Sequence, residues 1–223
     1  NVARVDMDGL LVEESRTNFV THSIDFGTAN GDWGHSFSGT ASADPTITPA
    51  SGTAPDGTNT ATRLEAATGG GTTGSDFSQI SCQRESTTNA AVSVWMKSNT
   101  GANQNVWMSG TSGTEVVTPQ WQRFTVTSTD WRIGARGDFS DASIDILIWG
   151  AQVELGANPG GFSTSYIPTS GSTVQRLADE ITLTNSGIFN SNENTIINEP
   201  FGVAGGSDTL TIIGDGNKAE RTF

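Results

Sequence analysis

The sequence is poor in several things, and each scarcity excludes something. One Cys in 223 residues permits no internal disulfide, and no Cys/His zinc spacing can be assembled from it. Positive charge is thin: 11 Lys and Arg face 24 Asp and Glu, for a formal net charge of −13. Lys97 and Lys218 are the only lysines. Binding nucleic acid through its phosphates needs a basic surface, and attraction to anionic lipid needs the same sign, so charge excludes both. Apolar runs end after a handful of residues, far short of the roughly 20 that cross a bilayer as a helix, and no membrane insertion is expected. No basic-then-apolar leader opens the chain, which begins on Asn1 rather than Met; this reads as a processed or trimmed chain. The good helix formers Leu, Lys, Glu and Met are sparse.

What is abundant points to strands and turns. Thr and Ser make up about a quarter of the chain, and Gly supplies 27 positions. Thr favours strands, while Gly, Asn, Asp and Ser favour turns. Few charges among many small polar residues is also a disorder composition, but 6 Trp and 10 Phe supply a core. The length suits one or two domains with a self-sufficient core. Composition therefore predicts an all-β protein with long Gly/Thr/Ser loops.

Alternation locates the strands. They are predicted near Arg4–Glu13, Ala61–Ala66, Phe77–Gln83, Ala91–Ser98, Asn105–Ser109, Glu115–Thr118, Trp121–Ser128, Trp131–Gly137 and Ser143–Leu155. Later ones fall near Glu180–Thr184, Asn194–Asn198 and Thr209–Ile213. No helical period stands out, and many short strands between turns suggest a sandwich or a barrel. Gly39–Asn59 and Ala67–Asp76 read as loops. Val92, Val94 and Met96 share one face of their strand, with Ser93, Trp95 and Lys97 on the other. Likewise Phe124 and Val126 oppose Trp121, Arg123 and Thr125, and Val106 and Met108 oppose Trp107. Ser143–Leu155 is apolar on both faces: Ile144, Ile146 and Ile148 on one, Leu147, Trp149, Ala151, Val153 and Leu155 on the other. Such a strand is central or covered on both sides. Character changes after about Thr169, so three regions are expected: a lead-in strand over 1–15, a main module over 16–170 and a β-rich extension over 171–223.

Three stretches carry a family resemblance. The first is Gly9-Leu-Leu-Val-Glu-Glu-Ser-Arg-Thr-Asn-Phe19 with Ser23-Ile-Asp-Phe26 and Trp33. The second is Pro55-Asp-Gly-Thr58, Ala61-Thr-Arg-Leu64, Val94-Trp-Met-Lys97 and Trp121-Gln-Arg-Phe124. The third is Ile146-Leu-Ile-Trp-Gly-Ala-Gln-Val-Glu-Leu-Gly156, Thr164-Ser-Tyr-Ile-Pro-Thr169 and Arg176-Leu-Ala-Asp179. Together they resemble a module of bacteriophage virion proteins, found in tail or head fibres and capsid decorations, that is similar to jelly-roll carbohydrate-binding modules. The resemblance runs from Gly9 to Ile181. It implies a jelly-roll β-sandwich followed by the C-terminal β-rich extension. It also implies a virion-surface location, other virion proteins as partners, a homotrimer, and adhesion to host surface polysaccharide. A polysaccharide depolymerase (or its ancillary module) and a cement protein without ligand are the alternatives.

Within that frame Trp95, Lys97, Trp107, Trp121 and Arg123 are the candidate carbohydrate-binding residues. Sugars stack apolar C–H faces on aromatic rings while polar neighbours take the hydroxyls; the competing reading is that these tryptophans extend the core. Lys97 and Arg123 would concentrate the scarce positive charge on this face. Trp33 and Trp131, beside Gly/Asp turns, read as loop anchors or a satellite cluster. Modules of this kind often hold a structural Ca2+, and Asp25 and Asp145 are the nearest matches to its ligands, although no Asp-x-Asp-x-Asp loop is present. No catalytic residue is assigned: His22 and His35 lie in no hydrolase motif, and Glu13, Glu14 and Glu154 are noted only because they sit beside apolar residues. Cys82 reads as a small buried strand residue. Glu13 and Arg16 are expected to pair with the Tyr166 segment, and Arg176 with Asp179.

Overall fold

The computed structural model describes residues 4–6, 9–11, 13–41, 43–82, 90–109, 113–129, 131–155, 163–184 and 209–213. The strand expected at Asn194–Asn198 lies outside them. In chain order the strands are β1 (Arg4–Asp6), β2 (Gly9–Leu11), β3 (Arg16–Asn18), β4 (Trp33–Ser38), β5 (Thr46–Gly52) and β6 (Ala61–Ala67). Next come β7 (Phe77–Cys82), β8 (Ala90–Ser98), β9 (Gln104–Met108), β10 (Thr114–Val117) and β11 (Gln122–Ser128). They end with β12 (Arg132–Arg136), β13 (Ser143–Leu155), β14 (Val174–Arg176), β15 (Glu180–Thr184) and β16 (Thr209–Ile213). Among the described residues no helix is long and apolar enough to cross a membrane.

The chain divides into two compact units, Thr17–Gln175 and the paired terminal stretches Asn1–Arg16 and Arg176–Phe223. In the terminal unit β1 pairs with β2 and β15 with β16, both antiparallel. There Arg176 Nη1 donates to Glu13 Oε2 at 2.7 Å, and the Glu13 N–H donates to Asp179 Oδ2 at 3.0 Å. The expected Arg176–Asp179 pair is thus replaced by one to Glu13, and Arg16 pairs with Glu14.

The Thr17–Gln175 unit is a jelly-roll sandwich. Its first sheet has the order β10-β9-β12-β7-β4 and its second β11-β8-β13-β6-β5, all antiparallel; apart from the β5–β6 and β9–β10 pairs, successive strands from β4 to β13 alternate between the sheets. Alternation drives this packing, because every second residue of a strand faces the same way. Val92, Val94 and Met96 of β8, Ile144, Ile146 and Ile148 of β13, Val106 and Met108 of β9, and Ile133 of β12 fill the space between the sheets. Trp33 and Trp131 belong to this main core, not to a loop: their rings meet edge-on at 5.2 Å, and Phe26 lies 4.8 Å from Trp33. Cys82 is buried in the same cluster.

Two local features depart from the sequence reading. The stretch Gly39–Asn59 is not all loop, because it contains β5. This is an exposed edge strand carrying Pro49, Ala50 at a φ of 50°, and a register shift between Thr48 and Gly52. Proline and irregularity are tolerated at an edge and discourage pairing with another chain. The second departure is in β13. Trp149 pairs with Trp95 and Gln152 with Ser93, so one extra residue is inserted at Gly150, whose φ is 68°. That bulge inverts the alternation. Ala151 and Val153 join the isoleucines in the core, and Gln152 and Glu154 turn to the outer face. The expectation that Ala151 and Val153 share a face with Trp149 is thereby corrected.

The Ala67–Asp76 loop is held by one carboxylate. Thr73 Oγ1 and N–H and Thr40 Oγ1 and N–H all donate to Asp76 at 2.6–3.0 Å. A Cβ on Gly71 would lie 2.2 Å from the Asp76 carboxyl carbon, so the turn closes only over glycine. The donated bonds, led by the Thr73 hydroxyl, hold the Asp76 pKa far below the ordinary carboxylate value. A folded-state pKa depressed in this way stabilises the protein above the unfolded pKa of about 3.9, and the contribution disappears as pH falls below it. Asp76→Asn is therefore expected to melt lower than the wild type at neutral pH. Its melting temperature should also fall less between about pH 5 and pH 2. Parallel slopes in a thermal scan across that interval would count against this role.

Candidate functional site

The outer face of the second sheet gathers aromatic side chains. Antiparallel register places Arg123 of β11, Trp95 of β8 and Trp149 of β13 in one row, with Lys97 opposite Leu147 in the next. Trp121 immediately precedes β11, level with Lys97. Ala54, Ala61, Leu147 and Trp149 form a second apolar cluster here, and Trp95, Trp121 and Tyr166 pack against it. Trp149 is only 6 % exposed, since Tyr166 covers it with ring centroids 4.6 Å apart. Its Nε1 donates to Thr60 Oγ1 at 3.0 Å, and Trp121 Nε1 donates to the Thr53 carbonyl at 3.1 Å. These two bonds fix the ends of the Thr53–Thr60 loop beside the platform. Trp95 and Trp121 remain half-buried and so offer ring surface to a ligand. Gly150 makes the crowding possible: a Cβ there would stand 3.2 Å from Trp95 and 3.4 Å from Tyr166.

Three of the sequence candidates therefore meet on this face in roles that suit a ligand: Trp95, Trp121 and Lys97. Arg123 is on the same face but is engaged internally. Its Nη1 donates to the Thr164 carbonyl at 2.7 Å and its Nη2 to Ser93 Oγ at 2.8 Å. Trp107 is parted from the others, because β9 belongs to the first sheet. It points to that sheet's outer face and is 6 % exposed. The Arg136 guanidinium lies 4.9 Å from its ring centroid and 5.5 Å from that of Phe139. The expectation of one surface shared by all three tryptophans is corrected on this point: a strand's alternation says which residues share a face, but not which sheet the strand joins.

Nor do the two candidate calcium ligands make a site. The Asp145 carboxylate accepts Arg63 Nε and Nη2, each at 2.8 Å, and Asn99 Nδ2 at 3.1 Å. The Arg63 bonds foremost hold its pKa below the ordinary value. Asp25 is an exposed turn residue that accepts the Gly27 N–H at 2.9 Å. Among the described residues no group of three His, Cys, Asp or Glu side chains is placed to hold a metal. The Asp25–Asp145 assignment is set aside because a guanidinium already occupies the Asp145 oxygens. Away from the platform, a cleft of about 450 Å³ opens where Asp44, Thr46, Glu65, Gln104 and Asp145 meet at one end of the sandwich.

The residues that sequence reasoning missed form a clasp. Gln152 and Glu154, turned outward by the bulge, are both fully buried because the 163–167 segment lies across them. Gln152 Oε1 accepts the Ile167 N–H at 2.7 Å, and Glu154 accepts the Thr164 N–H at 2.9 Å together with the Thr164 hydroxyl. Asn18 completes the arrangement from β3. Its Nδ2 donates to the carbonyls of Ala151 and Ile167 at 3.1 and 2.9 Å, and its Oδ1 accepts the N–H groups of Val20 and Val153, both at 3.1 Å. The Trp-Gly-Ala-Gln-Val-Glu and Ser-Tyr-Ile-Pro-Thr runs are thus two halves of one structural lock. Glu154 is occupied in it, which removes Glu154 as a free catalytic carboxylate. His22 Nδ1 sits 3.0 Å from the Thr21 hydroxyl and 3.2 Å from Asp32, and that hydroxyl also donates to Asp32, while His35 Nε2 sits 3.1 Å from the Phe26 carbonyl.

Tyr166 links the lock to the platform. Its hydroxyl is hydrogen-bonded to Ser23 Oγ at 2.6 Å, and burial pushes its pKa up. Tyr166→Phe keeps the ring over Trp149 and removes the bond, so it is expected to cost about 1 kcal/mol. A lower melting temperature with unchanged glycan binding is the predicted outcome; an unchanged melting temperature would contradict it.

No family model matches the sequence, and no curated protein matches it. Among solved structures, the chain resembles the CBM22-1–GH10 modules of xylanase 10B from Clostridium thermocellum, solved with xylohexaose. The identity is 13 % and the TM-score 0.34, over 62 % of this chain and 27 % of that one. The chain therefore spans about a quarter of the length of that protein.

Proposed function

We propose that the chain is an adhesion module of a bacteriophage virion surface that holds a host glycan against the outer face of its second sheet. The observation that carries this reading is the aromatic platform: Trp95 and Trp121, partly exposed and packed against the cluster that contains Trp149, with Tyr166 and Lys97 on the same face. Sugar rings are amphipathic, and a rigid aromatic surface with polar neighbours binds them at small entropic cost. The virion part of the reading is supported by the sequence resemblance. Arg123, Asn18, Gln152 and Glu154 serve the proposed site by holding the segment that carries Tyr166. A glycan array tests the binding half: signal is expected from the wild type, retained in Trp107→Ala and lost in Trp95→Ala. Immunogold labelling of intact particles with antibody to the chain tests the other half. An array without signal from a folded protein would refute adhesion and favour a cement role.

A further inference from the structure

Lys97 is the unusual group on the platform. Among the described side chains Arg16, Arg63, Arg136 and Arg176 pair with carboxylates, Arg123 donates to Thr164 and Ser93, and Arg132 also has an interaction. Lys97 makes no hydrogen bond or ion pair among them, although it is half-buried and stands among Trp95, Trp121 and Leu147. No described carboxylate pairs with its ammonium, which leaves that charge available to a ligand. Packing alone would be served as well by an aliphatic side chain. The rest of the protein works against anions, since its formal net charge is −13. At physiological ionic strength that field is screened beyond about 8 Å, so the nearest charge decides what docks.

The geometry points to a carboxylated oligosaccharide as the ligand: we infer that the platform stacks a uronate-type sugar ring and that Lys97 pairs with its carboxylate. The inference rests on the glycan reading above and deepens it. Lys97 and Trp95 are two residues apart on one strand face, hence about 7 Å apart along β8. That separation matches a pyranose ring lying on the indole with its ring carboxylate reaching toward the ammonium. The remaining carboxylates near this face are neutralised, peripheral or, as for Glu154, buried against Thr164. Asp145 and Glu65 share Arg63, and Asp56, whose charge acts on Tyr166, sits on the exposed loop turn.

The test is an array on which hexuronate, sialylated and pyruvylated oligosaccharides each stand beside their methyl esters, with a hexaglutamate peptide as a charged chain without rings. Wild type, Lys97→Gln and Lys97→Arg are compared, each checked for an unchanged melting temperature. At low salt at least one acidic sugar is expected to bind about tenfold tighter than its ester, and the gap should shrink in about 0.5 M NaCl. Lys97→Gln should close the gap while ester binding persists, and Lys97→Arg should preserve most of it. Equal binding of acid and ester overturns this inference alone and leaves the glycan reading standing. So does a gap that survives Lys97→Gln, or capture of hexaglutamate as tight as that of the sugar. Binding to no sugar at all overturns the glycan reading and this inference with it.

Discussion

Asn18→Ala is expected to lower the stability of the Thr17–Gln175 unit by about 3–4 kcal/mol, enough to drop its melting temperature by about 10 °C. The size follows from what the side chain does. It is fully buried, and its amide satisfies four main-chain groups at once, on Val20, Ala151, Val153 and Ile167. Alanine leaves all four in an interior where an unpaired donor or acceptor costs about 1–3 kcal/mol, and partial relaxation keeps the total below the sum. Asn18→Asp is the diagnostic companion. It keeps the acceptor for Val20 and Val153 but places a second carboxylate oxygen against the carbonyls of Ala151 and Ile167, where Nδ2 stood. The variant carboxyl should therefore have a raised folded-state pKa, with its penalty greatest at neutral pH and relieved on acidification. Urea unfolding of both variants at neutral pH and near pH 4 checks this. A loss under about 1 kcal/mol for Asn18→Ala would mean that the clasp does not hold β13 to the 163–167 segment.

Trp95→Ala and Trp121→Ala are expected to weaken glycan binding by at least thirtyfold each, about 2 kcal/mol, as for a central aromatic in a binding patch. The two losses should differ in their cause. Trp121 Nε1 also ties the Thr53 carbonyl, so its removal frees the loop end as well as the ring surface. Trp95 Nε1 has no acceptor, so Trp95→Phe forfeits ring area alone. Trp95→Phe should accordingly retain more binding than Trp121→Phe. Trp107→Ala is the control on the other sheet: it removes the ring under Arg136, lowers stability and leaves affinity unchanged. Calorimetric titration of the five variants with the best array ligand reads all of this. Affinity that falls with Trp107 and not with Trp95 would move the site to the first sheet.

The sandwich was legible because alternation in β8, β9, β11 and β13 separates an aliphatic face from a polar one. Half of the platform was legible for the same reason, since Trp95, Lys97 and Arg123 lie on adjacent paired strands and Trp121 immediately precedes one of them. What sequence periodicity missed has three physical sources. A strand's partner is set by long-range packing, which is why Trp107 went to the other sheet. A bulge inverts every later side chain, so Gln152 and Glu154 were hidden behind an apparent apolar face; the glycine at position 150 was the available signal. Tyr166, Thr164 and Asn18 act through irregular or very short segments, which carry no period to read. The calcium assignment failed because a carboxylate in sequence gives no hint that a guanidinium, Arg63, lies beside it.

A crystal structure of the chain soaked with its best array ligand locates the binding face. A sugar ring is expected to stack on Trp95 or Trp121, within reach of Lys97 Nζ, with Trp149 and Tyr166 unmoved beside it. A sugar seated instead in the cleft of Asp44, Glu65 and Asp145, or over Trp107, would contradict this placement.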